Sequence, residues 1–323
     1  MTSAVDELLA QHITYEREHI HLLTTLYGVV APSDSLESHL RIAKCLELMK
    51  ASTLVLDDFL DKSPSRNGIP SLYQKFGAEE AVLLAELLKS SSTIALLQAL
   101  PEVPGLSGTD RDRCLLLFED TYRTVCLGQL EEIRMVRGCL KTWSVNEKEY
   151  WGVIEKTTAA FIKLPLLLGA VTRHFDESLT DILCGYGLNI GLAYQVRDDV
   201  LDIMGEPQLT GKPLGGDIRE RKIRLPMIHC LRHGKPSSVR ALKQVYEKNH
   251  VSDKDIHSII EVLISTGSVE YCMDKIRDLC LKAVEHLSSI QNGTVVKQLE
   301  DIAALVTLEK ALLSNELANK NQR

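Results

Sequence analysis

A helical apolar period runs through almost the whole chain and restricts the fold more than any other feature. In residues 34–56, Leu36, Leu40, Ala43, Leu46 and Met49 return at steps of three and four, with Leu54 and Val55 extending the run, as one face of an α-helix requires. Residues 78–100 are crowded with Ala, Leu and Glu, all strong helix formers. Segments 110–137, 146–173, 180–204, 222–233, 236–249, 253–266, 268–290 and 295–318 carry the same period. No stretch alternates apolar and polar residues between turn signals, and no strand–helix–strand rhythm occurs. The breaks at Pro64 to Pro70, Pro101 to Gly108, Gly205 to Gly216 and His233 to Pro236 are loop-sized, and none has the composition of a flexible linker. These patterns predict one all-α domain over 1–323, a bundle of roughly ten helices with apolar faces turned inward.

Composition narrows the function. The chain is 45% hydrophobic and 25% charged, which argues against disorder. A net charge of -7 and a pI of 5.8 oppose nucleic-acid binding, which needs a basic face for phosphates. Eight cysteines are scattered without paired spacing, so neither a zinc site nor a disulfide framework is expected. The first residues, MTSAVDELLAQHITYEREH, lack a basic stretch followed by an apolar one, and no run of 18 apolar residues occurs. We therefore expect no signal peptide and no membrane span, and place the protein in the cytoplasm.

One motif occurs twice. DDFLD at 57–61 and DDVLD at 198–202 each close an apolar helical stretch. Asp57 and Asp61 lie one helical turn apart on one face with Asp58 beside them; Asp198, Asp199 and Asp202 repeat that geometry. Such carboxylates repel one another unless a cation intervenes, and hard oxygen ligands suit Mg²⁺, which usually combines one or two carboxylates with substrate phosphates. Two clusters facing each other across a bundle would clamp a diphosphate through metal. A solvated acidic helix end is the plainer reading. Chance supplies DDxxD roughly 0.04 times in this length, and two copies about once in a thousand sequences, so the metal reading prevails. Cations follow each motif: Arg66 after the first, and Lys212 and Lys222 with Asp217 in a glycine-rich stretch after the second. A loop of that composition suits closure over phosphate.

These blocks resemble the trans-isoprenyl diphosphate synthase (polyprenyl synthetase) family. Asp57 to Gly77 is similar to its DDxxD-x-S-x-x-R-R-G-x-P...FG block, and Gln195 to Pro226 to its Q-x-x-DD-x-x-D...GK...GxD...K-x-x-L-P block. Between them, Gly128 to Glu132 resembles GQ-x-x-D with Glu132 for Asp, and Lys156 and Thr157 match a KT pair. The resemblance implies the helical isoprenoid synthase fold around a central active-site cavity, a homodimer, about three Mg²⁺ and a linear allylic diphosphate of ten to twenty carbons. It implies metal ligation by Asp57, Asp58, Asp61, Asp198, Asp199 and Asp202. Catalytic roles fall to Lys156, Thr157, Gln195, Lys212 and Lys222, and substrate contacts to Arg66, Gln129, Lys156, Lys212 and Lys222. Metal and cations would neutralise the leaving pyrophosphate, while apolar helices keep water from the allylic cation.

The chain departs from the family where isopentenyl diphosphate, the five-carbon acceptor, binds. The second Arg of the family pair is Asn67, its His position is Lys50, and no GGK-x-x-R segment precedes Asp57; alignment sets Arg17 and Ile20 there, near His19 and His21. Each missing charge-assisted hydrogen bond costs about 1.5–3 kcal/mol, though Lys50 and Arg17 could rebuild part of the site. The expectation is an enzyme that ionises the allylic diphosphate and resolves the cation without isopentenyl diphosphate, as terpene synthases (lyases) do, or by transfer to another acceptor. The alternatives are ordinary chain elongation with a rebuilt site and, in third place because both motifs are intact, a non-catalytic subunit of a heteromeric synthase. Ser52 and Thr53, one turn before Asp57, are small where short-chain members carry an aromatic stop, with Met49 and Cys45 next along the helix. Aromatics are only 5% of the chain, and Phe59, Phe161, Tyr186 and Tyr194 serve equally as core or as faces steering a cation, so a linear or monocyclic product is expected.

Overall fold

The computed structural model describes residues 17–31, 36–66, 69–205 and 214–307, and Lys212 and Asn67 lie outside them. Apart from one hairpin of two-residue strands, the regular structure among the described residues is helical, as the periodicity predicts. In order the elements are α1 (Arg17–Val30), α2 (Leu36–Asp61), β1 (Ser65–Arg66), β2 (Ile69–Pro70), α3 (Leu72–Phe76), α4 (Ala78–Ala99) and α5 (Gly108–Thr142). Next come α6 (Glu147–Ile154), α7 (Ala160–Thr172), α8 (Glu177–Met204), α9 (Gly216–Arg219), α10 (Leu225–His233) and α11 (Pro236–Tyr246). The last are α12 (Asp253–Ser265), α13 (Ser268–His286) and α14 (Gly293–Val306).

These elements group into two compact units: 1–123 with 161–181 and 210–212, and 124–160 with 182–209 and 213–323. In the first unit α2 packs along α4. Leu48, Ala51 and Val55 meet Ala81, Ala85 and Leu88, with Leu72 closing the end, and alanines let the two helices approach closely. In the second unit α10 lies against α13, α13 against α14, and α11 against α12. Helix starts follow local chemistry: Asn146 with Glu149 and Ser252 with Asp255 form reciprocal capping boxes at α6 and α12.

Three boundaries differ from the periodicity. Segment 146–173 is not one helix, because Glu155–Ala159 forms a π-turn between α6 and α7. Segment 222–233 becomes helical only at Leu225, since Pro226 suits a first turn and Arg224 is extended at φ -99, ψ 169. α2 runs on to Asp61, so that DDFLD is its last turn. All eight cysteines are free, and Cys126 and Cys184 alone are more than marginally accessible.

Candidate active site

The first carboxylate cluster is assembled by a chain reversal. α2 stops where Lys62 takes a left-handed φ of 55, and Ser63 N–H closes the helix end on the Asp58 carbonyl at 2.9 Å. The hairpin then pairs Arg66 with Ile69. Ser71 fixes its return: its hydroxyl donates to the Ser63 carbonyl at 2.5 Å and accepts from the Gln74 N–H at the start of α3. Arg66 is thereby turned back onto the aspartates. Its Nε donates to Asp58 Oδ1 at 3.0 Å and its Nη2 to Asp57 Oδ2 at 2.8 Å, with the residue 8% exposed. Asp58 is buried beneath that cation, while the Asp57 side chain remains 35% exposed.

Further up α2, Ser52 is fully buried with a hydroxyl that has no hydrogen-bond partner among the described residues, and Thr53 donates to the Lys50 carbonyl at 2.8 Å. Met49 and Cys45 are sealed in the core. The Lys50 ammonium lies 5.0 Å from the centre of the Phe161 ring, a cation–π contact in the first unit. The side chains of Arg17, His19, Ile20 and His21 lie outside what the structure describes, although Arg17 opens α1.

The second cluster lies in the other unit and is built differently. Asp199, on α8, is 1% exposed and saturated with hydrogen bonds. Its Oδ2 accepts from Tyr150 Oη at 2.6 Å and from the Leu225 N–H at 3.3 Å, and its Oδ1 from Gln195 Nε2 at 3.1 Å. Burial lifts its carboxyl to about 7 even against the pull of the Arg224 guanidinium. Asp202 Oδ2 accepts from the Asp217 N–H at 3.1 Å, and burial raises its carboxyl as well. The Asp198 side chain, like that of Asp57, keeps about a third of its surface, at 36%.

Gln195 is fully engaged: Thr158 Oγ1 donates to its carbonyl oxygen at 2.6 Å while its amide serves Asp199. It thereby links the π-turn to the second cluster. The π-turn supplies Lys156, Thr157 and Thr158, and two glycines permit it. A Cβ on Gly128 would stand 2.7 Å from Lys156 Cβ, and one on Gly191 would stand 2.4 Å from Ala159 Cα. The Lys156 ammonium contacts both oxygens of Glu131 at 2.6 Å, and Thr157 Oγ1 donates to the Val153 carbonyl. Gln129 sits half-buried beside Gly128. Lys222 is 15% exposed and pairs with Glu220 at 3.0 Å.

Sequence reasoning named Glu132 and Asp217 but missed two members of the second cluster, Arg224 and Tyr150. Arg224 Nη1 donates to Glu132 at 2.7 Å, and its Nε stands 3.4 Å from Asp217 and 4.0 Å from Asp199. Tyr150 closes the remaining side of Asp199. Of the aromatic candidates, Tyr186 donates to the Leu299 carbonyl and belongs to the core, while Tyr194 stacks on Arg197 at 4.6 Å.

Among the described residues no group of three or more His, Cys, Asp or Glu side chains is arranged as a ready metal cage. The reason lies in the partners just described, because Asp58 and Asp199 are turned inward to their own donors. What each cluster presents outward is one or two carboxylates. That donor set fits Mg²⁺, which keeps most of its coordination sphere for water and substrate phosphate.

A family model, "Polyprenyl synthetase", matches residues 14–263 and so takes in parts of both units and both aspartate clusters. The chain belongs to the polyprenyl synthetase family. Among relatives of this polyprenyl synthetase, a short chain isoprenyl diphosphate synthase from Methanocaldococcus jannaschii is 28% identical over 76% of this chain and 72% of its own. A geranylgeranyl diphosphate synthase from Saccharolobus solfataricus is 28% identical over 81% of this chain and 77% of its own. A crystal structure of a geranylgeranyl pyrophosphate synthase from Corynebacterium glutamicum, solved with isoprenyl diphosphate and magnesium, superposes with a TM-score of 0.81 at 26% identity. It covers 94% of this chain and 97% of that one. The all-α isoprenoid synthase fold is thus shared. No helix among the described residues is long and apolar enough to cross a membrane.

Proposed function

We propose that this polyprenyl synthetase is a chain-elongating trans-prenyl diphosphate synthase, working as one domain over 1–323. In the reaction the C1–O bond of an allylic diphosphate breaks, pyrophosphate leaves with the bonding pair, and the allylic C1 joins C4 of isopentenyl diphosphate before a proton is lost. The observation that carries this reading is the family match with both aspartate motifs intact, joined to relatives named as isoprenyl and geranylgeranyl diphosphate synthases. Those names favour elongation over the expectation that the cation is resolved without isopentenyl diphosphate, and they give no support to a terpene-synthase (lyase) activity.

Bound with the substrate, Mg²⁺ (about three ions by family resemblance) would supply Lewis-acid neutralisation of the leaving group. Asp57, Asp61, Asp198 and Asp202 would hold it. Arg66, Lys156, Lys212 and Lys222 bind diphosphate oxygens in this reading, with Lys156 exchanging Glu131 for phosphate. Thr157 orients the substrate beside Lys156, and Gln129 lies on the neighbouring turn of α5. Ser52 and Thr53 are small where short-chain members of the family carry an aromatic stop, and on that ground substrates of ten to twenty carbons are proposed. The protein is proposed to act in the cytoplasm as a homodimer. On α4, Leu83, Leu87, Ile94 and Leu97 form one stripe at 48 to 63% exposed, which a second copy would cover.

The second reading, loss of the isopentenyl diphosphate site, rests on Asn67. Lys50 speaks against it, because its ammonium on α2 offers a cation where the family has histidine. Incubating the protein with geranyl, farnesyl and geranylgeranyl diphosphates, each with and without isopentenyl diphosphate, decides by product mass. Products longer by five carbons are expected. Pyrophosphate release that ignores isopentenyl diphosphate would establish the second reading instead.

A further inference from the structure

Arg224 is a cation for which the proposed chemistry has no use. Its side chain is 11% exposed and lies among three carboxylates, Glu132 at 2.7 Å, Asp217 at 3.4 Å and Asp199 at 4.0 Å. Glu132 comes from α5, Asp199 from α8 and Asp217 from α9, so the guanidinium ties α5 to two elements much later in the chain. Asp199 has its remaining acceptor sites filled by Tyr150, Gln195 and the Leu225 N–H. The one guanidinium, itself buried, is outnumbered by the three carboxyl groups around it. A buried carboxylate with an unmet charge would compete for any divalent ion that reached the cluster.

We propose that Arg224 is the built-in cation of the second cluster, a positioning residue that satisfies Asp199 and Asp217 from within and so confines metal to Asp198 and Asp202. This rests on the metal-dependent reading above. The guanidinium acts as a fixed counter-charge that cannot exchange with solvent ions, and its forked donors hold Glu132 and Asp217 in set directions. Without it, the same carboxylates would form a deeper, tighter metal site, and an ion drawn inward would sit away from the diphosphate.

The test is Mn²⁺ binding to the full chain, followed by electron paramagnetic resonance with Mn²⁺ alone and with Mn²⁺ plus inorganic pyrophosphate, beside steady-state turnover. Arg224→Gln is expected to bind Mn²⁺ alone roughly tenfold more tightly than wild type while kcat falls and KM for the allylic substrate changes little. Arg224→Lys, which keeps the charge, should retain wild-type Mn²⁺ affinity and recover part of kcat. The double variant Glu132→Gln with Arg224→Gln guards against misfolding, because it leaves a neutral hydrogen-bonding pair and an unchanged net charge, and it too should bind Mn²⁺ more tightly. Wild-type Mn²⁺ affinity in the Arg224→Gln or the double variant, or affinity in Arg224→Lys as tight as in Arg224→Gln, overturns the inference alone. A wild-type chain that binds no Mn²⁺ in either condition overturns the metal reading and this inference with it.

Discussion

The two aspartate clusters share a motif and differ in how their charge is balanced. On the first, Arg66 comes from the hairpin that the helix runs into, and it covers Asp58 while also holding Asp57. On the second, the buried Asp199 is served by Tyr150, Gln195 and Arg224, which come from three different helices or their edges, and Arg224 is itself anchored by Glu132. A local reversal builds the first cluster; tertiary packing builds the second. The lesson is that one aspartate per motif, Asp58 or Asp199, is buried against its own donors, while Asp57 and Asp198 keep about a third of their side-chain surface and are the members to which the proposed function assigns an ion. Disturbing the first cluster should therefore act locally, whereas disturbing the second should reach α5, α8, α9 and α10 together.

If the exposed aspartates of both clusters hold metal, they should be equivalent in effect despite unlike surroundings. Asp57→Ala and Asp198→Ala are each expected to lower turnover by about three orders of magnitude with helical content unchanged, the scale of removing a main electrostatic interaction with the transition state. Pyrophosphate release, with circular dichroism as the control, measures this, and chelation by EDTA should match it. Full activity in either variant or in EDTA breaks the parallel between the clusters.

Next in size is Lys222→Ala. Leaving-group charge grows in the transition state, so kcat should fall roughly ten- to a hundredfold with a smaller rise in KM. Steady-state kinetics showing wild-type values would mean that Lys222 takes no part in holding the leaving group.

The stability contrast is smaller but sharper. Glu132→Ala removes the anchor of a cation that keeps Asp217, and should cost about 1–3 kcal/mol in urea unfolding, below the full penalty of a broken buried pair. Gly191→Ala pushes a methyl against the backbone of the π-turn and should cost a similar ~1–3 kcal/mol. Loss of stability in Gly191→Ala without a change in kcat would show that the turn's shape is irrelevant to Lys156.

The smallest effect is expected at Asn67. Asn67→Arg restores the cation the family carries there, and should lower KM for isopentenyl diphosphate by a few-fold, up to about tenfold for one charge-assisted hydrogen bond. An unchanged KM would indicate that Lys50 already fills that role.

Much of this was legible because its causes are local. Helical period follows from which neighbours share a face, and Ala, Leu and Glu favour that backbone on their own, so residues such as Leu48, Val55 and Ala85 announce their helices. The aspartate motifs were legible for the same reason, since four-residue spacing on a helix puts two carboxylates on one side. Arg66 could be found because the signals that reverse the chain, Lys62 to Ser71, adjoin the motif.

Sequence, then, determined the helical class, the two carboxylate clusters and the family whose motifs they are. It could not say which aspartates face outward, because burial of Asp58 and Asp199 depends on donors that packing delivers. Nor could it show the π-turn, which exists where Gly128 and Gly191 let neighbouring helices press on Lys156, Thr157 and Ala159. Arg224 is separated from Glu132 by four helices, α6 to α9, and resembles an ordinary surface charge in the sequence. Only the tertiary structure made them partners, because a buried charge is tolerated where an opposite charge meets it, and that meeting is a property of the folded chain.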